Sequence, residues 1–108
     1  MLVDVTAEKA KELLDGNHDI IVVDVRTKSE NKQERICDGL NIDFYSENFE
    51  GQISKLSKNK KYLLYCKTGS RSSYVLQMMK NLGFTNVYHL KTGIMGWKNK
   101  GFSVKSGS

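Results

Sequence analysis

The chain has 108 residues, 39% of them hydrophobic and 27% charged, and carries a net charge of +5 at pH 7. That length suits one compact domain and excludes two ordinary ones, and interspersed charge of both signs excludes a disordered polymer. No apolar run approaches the ~20 residues of a membrane-spanning helix, and the scattered lysines accompany no nucleic-acid-binding module, so neither membrane nor nucleic acid is an expected partner.

In chain order, Leu2-Val3-Asp4-Val5 reads as a short strand, and Thr6 is placed to cap a helix over Ala7 to Asp15 that turns Ala10, Leu13 and Leu14 inward and stops at Gly16. Ile20 to Asp24 is a continuous β-branched run, the pattern of a strand buried on both faces of a parallel sheet. A short helix is expected near Lys28 to Gln33, and Leu40-Asn41-Ile42 returns briefly to the sheet. Ser46 is expected to cap a helix running to Leu56 with Phe49, Ile53 and Leu56 inward, followed by a strand from Lys61 to Tyr65. Tyr74, Val75, Met78, Met79 and Leu82 recur at helical spacing, and Gly83-Phe84 reads as a helix C-terminal cap with its hydrophobic contact. Asn86 to Leu90 then forms a strand and Ile94 to Asn99 a last helix; Trp97, Met78 and Met79 read as core. Alternating strands and helices predict an α/β fold: three layers, a central parallel sheet of about five strands with helices on both faces. One domain is expected over 1–105, with 106–108 as a tail.

Between the fourth strand and the helix after it stands Cys66, followed by Lys67-Thr68-Gly69-Ser70-Arg71-Ser72. A thiol at the start of a helix faces backbone N–H groups that lack intrahelical partners, and the macrodipole favours an anion there. Small residues let the loop curl around the sulfur with its amides inward, and Lys67 and Arg71 add positive charge that lowers a thiol pKa. The chemistry indicated is nucleophilic sulfur, with Cys66 as the nucleophile and Lys67, Thr68, Gly69, Ser70, Arg71 and Ser72 as its substrate-binding cradle.

This loop resembles that of the single-domain rhodaneses, a sulfurtransferase family whose active loop runs cysteine, four residues, arginine. Two further stretches are similar to the same family: the apolar strand ending in Asp24-Val25-Arg26 with Glu30 beyond it, and Val87-Tyr88-His89-Leu90 followed by Gly93-Ile94-Met95-Gly96-Trp97. The resemblance covers nearly the whole chain and implies a rhodanese-like fold. It implies transfer of a sulfane sulfur from a small anionic donor such as thiosulfate, through a Cys66 persulfide, to cyanide, a thiol or a protein acceptor. It also implies that Asp24, Arg26 and Glu30 form an ion cluster, with Asp24 and Arg26 either bracing the fold or bordering the pocket.

The family's pattern fails between Glu30 and Gly39, where Asn31 replaces an aromatic residue and Arg35 a histidine; Thr92 stands where a glycine is common, and proline is absent. No cofactor is expected, and His18 and His89 show no metal-ligand spacing with the cysteines. Cys37 reads as an ordinary loop thiol. The two cysteines, with no signal-like apolar N-terminus, predict free thiols in a reducing, cytoplasmic setting, and a monomer is expected. Two other functions fit less well. One is a persulfide relay or interaction module serving a protein partner. The other is a cysteine phosphatase or arsenate reductase, whose loops look like cysteine, five residues, arginine, one amide wider than the four between Cys66 and Arg71.

Overall fold

The computed structural model describes residues 1–107. Its elements follow in the order β1 (Leu2–Val5), α1 (Ala7–Gly16), β2 (Ile20–Asp24), α2 (Lys28–Gln33), β3 (Leu40–Asn41), α3 (Phe49–Ser54), β4 (Lys61–Tyr65), α4 (Ser70–Asn81), β5 (Asn86–Leu90) and α5 (Gly93–Asn99). The five strands form one parallel sheet in the order β1-β5-β4-β2-β3. The α/β architecture expected from the sequence is the one found.

Strand alternation divides the core in two. On the face covered by α3 and α4, Val23, Val25, Tyr62, Leu64, Cys66 and Val87 pack with Phe49, Ile53, Val75, Met79 and Phe84. On the other face, Val22, Leu63, Tyr65 and Leu90 pack with Ala7, Ala10, Ile94 and Trp97 from α1 and α5. Central β4 pairs with β2 and β5, and its interior positions Tyr62 to Tyr65 are all buried. Cys66 leaves this strand at its carboxyl end, the edge at which ligands bind in parallel sheets.

Local chemistry explains the boundaries. Thr6 accepts a hydrogen bond from the Lys9 N–H at the start of α1, and Thr27 with Glu30 makes a reciprocal capping box on α2. After α4, the Phe84 N–H reaches the Met79 carbonyl and Gly83 takes φ 92°, so the chain reverses through a glycine-closed cap and Phe84 meets the Tyr62 ring edge-on.

Several expectations are corrected. α1 runs through Gly16 and ends at Asn17, whose side-chain amide donates to the Leu13 carbonyl. Ser46 does not cap α3: its hydroxyl donates to the Asp43 carbonyl, and the helix starts after Asn48, the one non-glycine described residue at positive φ (55°). Tyr74 is not a core residue but stands 64% exposed, because α4 turns Ser72, Val75 and Met79 inward instead. Gly107, expected in the tail, donates its N–H to the Lys32 carbonyl and accepts from Arg35 through its own, while Lys105 pairs with Arg35 in an antiparallel bridge. Ser108, the rest of that tail, lies outside the described residues.

Candidate active site

The sulfur of Cys66 takes the place of a helix cap. α4 begins after Gly69 with no side-chain cap, and the first-turn N–H of Ser72 points at Sγ from 3.3 Å. The Gly69 N–H donates to the same atom at 3.1 Å, and the Ser72 hydroxyl lies 3.2 Å from it. Burial pushes the thiol up, but the Ser72 hydroxyl and the N–H groups of Ser72, Gly69 and Thr68 outweigh it and hold Cys66 below the usual thiol range. Cys66 is 1% exposed and sits at the floor of this ring.

Gly69 adopts φ 107°, and a Cβ there would run into the Lys91 carbonyl. Gly93, at φ 66°, passes so close to the loop that a Cβ would meet the Lys67 and Cys66 carbonyls. Those carbonyls accept instead from the Met95 and Ile94 N–H groups at 3.1 and 3.0 Å. The β5–α5 turn thus clamps the loop from behind. Thr92, where a glycine is common in the resembling family, has φ −91° and needs no glycine.

Arg71, expected to add positive charge beside the thiol, is itself held by a carboxylate. Arg71 gives two hydrogen bonds to the Glu30 carboxylate, at 2.8 and 3.0 Å, and its guanidinium lies 5.9 Å from the centre of the exposed Tyr45 ring. Glu30 also accepts from the Thr27 N–H, and together these partners depress its pKa to about 2. Loop hydrogen-bond donors are the main cause of the lowered thiol, and Arg71 and Cys66 also attract each other as charges. Lys67 is exposed and borders a narrow cleft of about 120 Å³ with Arg26, Glu30, Gln33, Glu34 and Met95. Thr68 and Ser70 are exposed on the loop's outer side.

Asp24 and Arg26 are buried at 2% and 3% exposure and paired through two parallel hydrogen bonds, Nε to Oδ1 at 2.9 Å and Nη2 to Oδ2 at 2.7 Å. Asn31, Tyr65 and the Arg26 N–H also donate to the Asp24 carboxylate, and Arg26 reaches the Glu34 carbonyl at 2.7 Å. This network ties α2 to the sheet. Asn31, an aromatic in the family pattern, here completes the shell of a buried carboxylate, and Arg35 joins Asp38 to the C-terminal segment. Cys37 is a half-buried free thiol whose pKa is raised by burial and by Asp38.

The sequence reading missed two residues. His89 is 1% exposed with Nε2 2.7 Å from the Ser72 hydroxyl, and its Nδ1 lies 2.8 Å from the Asp4 carboxylate. Asp4 and His89 are register partners on β1 and β5. The available signal was one carboxylate or imidazole side chain inside each of two short strands, Asp4 between Val3 and Val5 and His89 between Tyr88 and Leu90.

Residues 6–100 match the model of the rhodanese-like domain. The chain belongs to the rhodanese-like domain family. A sulfurtransferase of Allochromatium vinosum is 26% identical over 96% of this chain and 95% of that protein. The probable adenylyltransferase/sulfurtransferase MoeZ of Mycobacterium tuberculosis is 33% identical over 86% of the chain, and a Wolbachia tRNA uridine(34) hydroxylase 37% identical over 73%. The chain spans only 24% and 30% of the length of those two larger proteins. Among solved structures, a rhodanese-related protein from Thermoplasma volcanium superposes with a TM-score of 0.80 at 26% identity, covering 94% of this chain and 96% of that one. The thiosulfate sulfurtransferase of Pseudomonas aeruginosa shares the fold, with a TM-score of 0.81 at 22% identity over 97% of this chain and 20% of that one. Among the described residues, no helix is long and apolar enough to cross a membrane.

Proposed function

We propose that the protein is a sulfurtransferase in which Cys66 carries sulfur as a persulfide from a small anionic donor of the thiosulfate type to a thiophilic acceptor, cyanide or a thiol. The observation that carries this reading is the convergence of the Gly69 and Ser72 N–H groups on Sγ, which favours a thiolate and then the charge of a persulfide. The thiolate pair attacks the outer sulfur of thiosulfate, the sulfur–sulfur bond breaks and sulfite leaves with its electrons. An acceptor nucleophile then takes the outer sulfur and returns the pair to Cys66. Lys67, beside the loop, attracts the anionic donor.

A phosphatase reading has less support. Four residues separate Cys66 from Arg71, leaving one amide fewer than a phosphate cradle of five, and Arg71 is committed to Glu30 instead of free to clamp a tetrahedral oxyanion. Delivery of sulfur to a protein thiol is supported by the exposed Tyr45 and Tyr74, which pack edge-on against Phe44 beside Arg71 and offer apolar contact next to the loop.

Incubation with thiosulfate is expected to add one sulfur atom to the intact mass, cyanide to remove it, and Cys66→Ser to abolish the gain. Unchanged mass with thiosulfate, mercaptopyruvate and a persulfide donor, together with hydrolysis of an aryl phosphate, would overturn the reading.

A further inference from the structure

We propose that Asp4, His89 and Ser72 form a proton relay that holds Cys66 as a thiolate when it attacks a sulfur donor and when it is released from the persulfide. The proposal rests on the reading of Cys66 as the sulfur nucleophile. The three residues come from β1, β5 and α4, and the contacts run in one line: Asp4 Oδ1 to His89 Nδ1 at 2.8 Å, His89 Nε2 to Ser72 Oγ at 2.7 Å, and Ser72 Oγ to Cys66 Sγ at 3.2 Å.

Counting protons sets the direction. An ionised Asp4 carboxylate only accepts, so the Nδ1 of His89 carries a proton. In a neutral ring Nε2 is then bare and takes the single proton of the Ser72 hydroxyl, leaving none for sulfur. When the ring is charged, Nε2–H donates to Ser72 Oγ and the hydroxyl proton turns to Sγ. A hydrogen-bonded thiolate and a charged His89 are therefore two ends of one state. In the transfer, the Cys66 S–H bond breaks and its proton passes to Ser72 Oγ as the Ser72 proton passes to His89 Nε2. No electrons leave the chain of groups, and no co-reactant is needed.

The surroundings fit this role. Ser72 is wholly buried behind Sγ, so the Asp-His-Ser arrangement cannot present a serine nucleophile to an outside substrate and acts only through Cys66. His89 and Ser72 are closed off from water, whereas Asp4 has a half-exposed side chain and borders an open cleft of about 710 Å³, which lets the far end of the relay exchange with solvent. The titratable groups joined to His89 along this line are Asp4 from β1 and Cys66 after β4; α4 contributes the uncharged Ser72, and the register partner on β4, Leu64, is apolar.

The test is the pH dependence of Cys66 alkylation by iodoacetamide, in a Cys37→Ser background so that one thiol reacts. His89→Gln keeps an amide for Ser72 but cannot accept the proton. It is expected to shift the midpoint upward and slow alkylation at pH 7 by roughly tenfold, with Ser72→Ala behaving alike, Ser72→Thr restoring the wild-type profile and Asp4→Asn giving a smaller shift of the same sign. Wild-type profiles in folded His89→Gln and Asp4→Asn would overturn the relay. If His89→Gln fails to fold, Asp4→Asn at its half-exposed position decides alone. A relay-dependent profile in a protein that never takes up sulfur keeps the relay and removes the sulfurtransferase reading, whereas sulfur uptake with unshifted profiles does the reverse.

Discussion

Replacing Glu30 by Gln removes one negative charge from the Arg71 pair while keeping the shape of the side chain. Glu30 accepts two hydrogen bonds from Arg71 and one from the Thr27 N–H, and its pKa falls from the ordinary 4.5 to about 2. At ~1.4 kcal/mol per unit this depression corresponds to roughly 3 kcal/mol, which screening reduces to about 2 because the carboxylate is about a quarter exposed. A depressed carboxylate contributes stability that is fully present above the unfolded value of 4.5 and lost as pH falls through about 2. Glu30→Gln is therefore expected to be ~2 kcal/mol less stable than wild type at pH 7, with less than half of that gap, roughly 1 kcal/mol or below, left at pH 3. Urea unfolding followed by circular dichroism at pH 7, 5 and 3 measures it, and the comparison with wild type cancels the other carboxylates. A gap equal at pH 7 and pH 3, or absent at pH 7, would refute the assignment of this stability to the charge of Glu30.

Two more substitutions probe how the site is held. Gly69→Ala is expected to lose at least ~2 kcal/mol and to exceed Gly83→Ala by thermal unfolding, since both glycines have positive φ but only Gly69 faces a carbonyl, that of Lys91. Equal losses would count against the clamp formed by the β5–α5 turn. Asp24→Asn leaves the Arg26 guanidinium buried and unpaired and is expected to cost about 3–5 kcal/mol in chemical denaturation; a loss under ~1 kcal/mol would mean that the buried pair does not brace α2.

The strands were legible because burial on both sheet faces writes a continuous apolar run, as in Ile20 to Val23 and Tyr62 to Tyr65, and the loop was legible because a thiol, a glycine and an arginine at close spacing name a chemistry by themselves. Errors arose where one local pattern has two outcomes. Ser46 is as good a helix cap as a turn former, and only the left-handed Asn48 decides where α3 begins. Tyr74 lies at helical spacing from Met78, but the sheet covers the side of α4 that carries Ser72 and Val75. Arg71 beside a thiol reads as an electrostatic partner alone, whereas Glu30, 41 residues away, also takes the Nη1–Nη2 edge of its guanidinium.

Sequence alone determined the layered α/β frame, the position of Cys66 at the carboxyl end of a strand and the narrow loop around it, because period, β-branching and helix starts are set by neighbours along the chain. Tertiary structure alone decided what stands behind the sulfur. Asp4 and His89 are 85 residues apart and meet only because β1 pairs with β5 in parallel register, and Ser72 closes the line only because α4 packs on that face of the sheet. Such contacts depend on strand order and register, which no local stretch of sequence encodes.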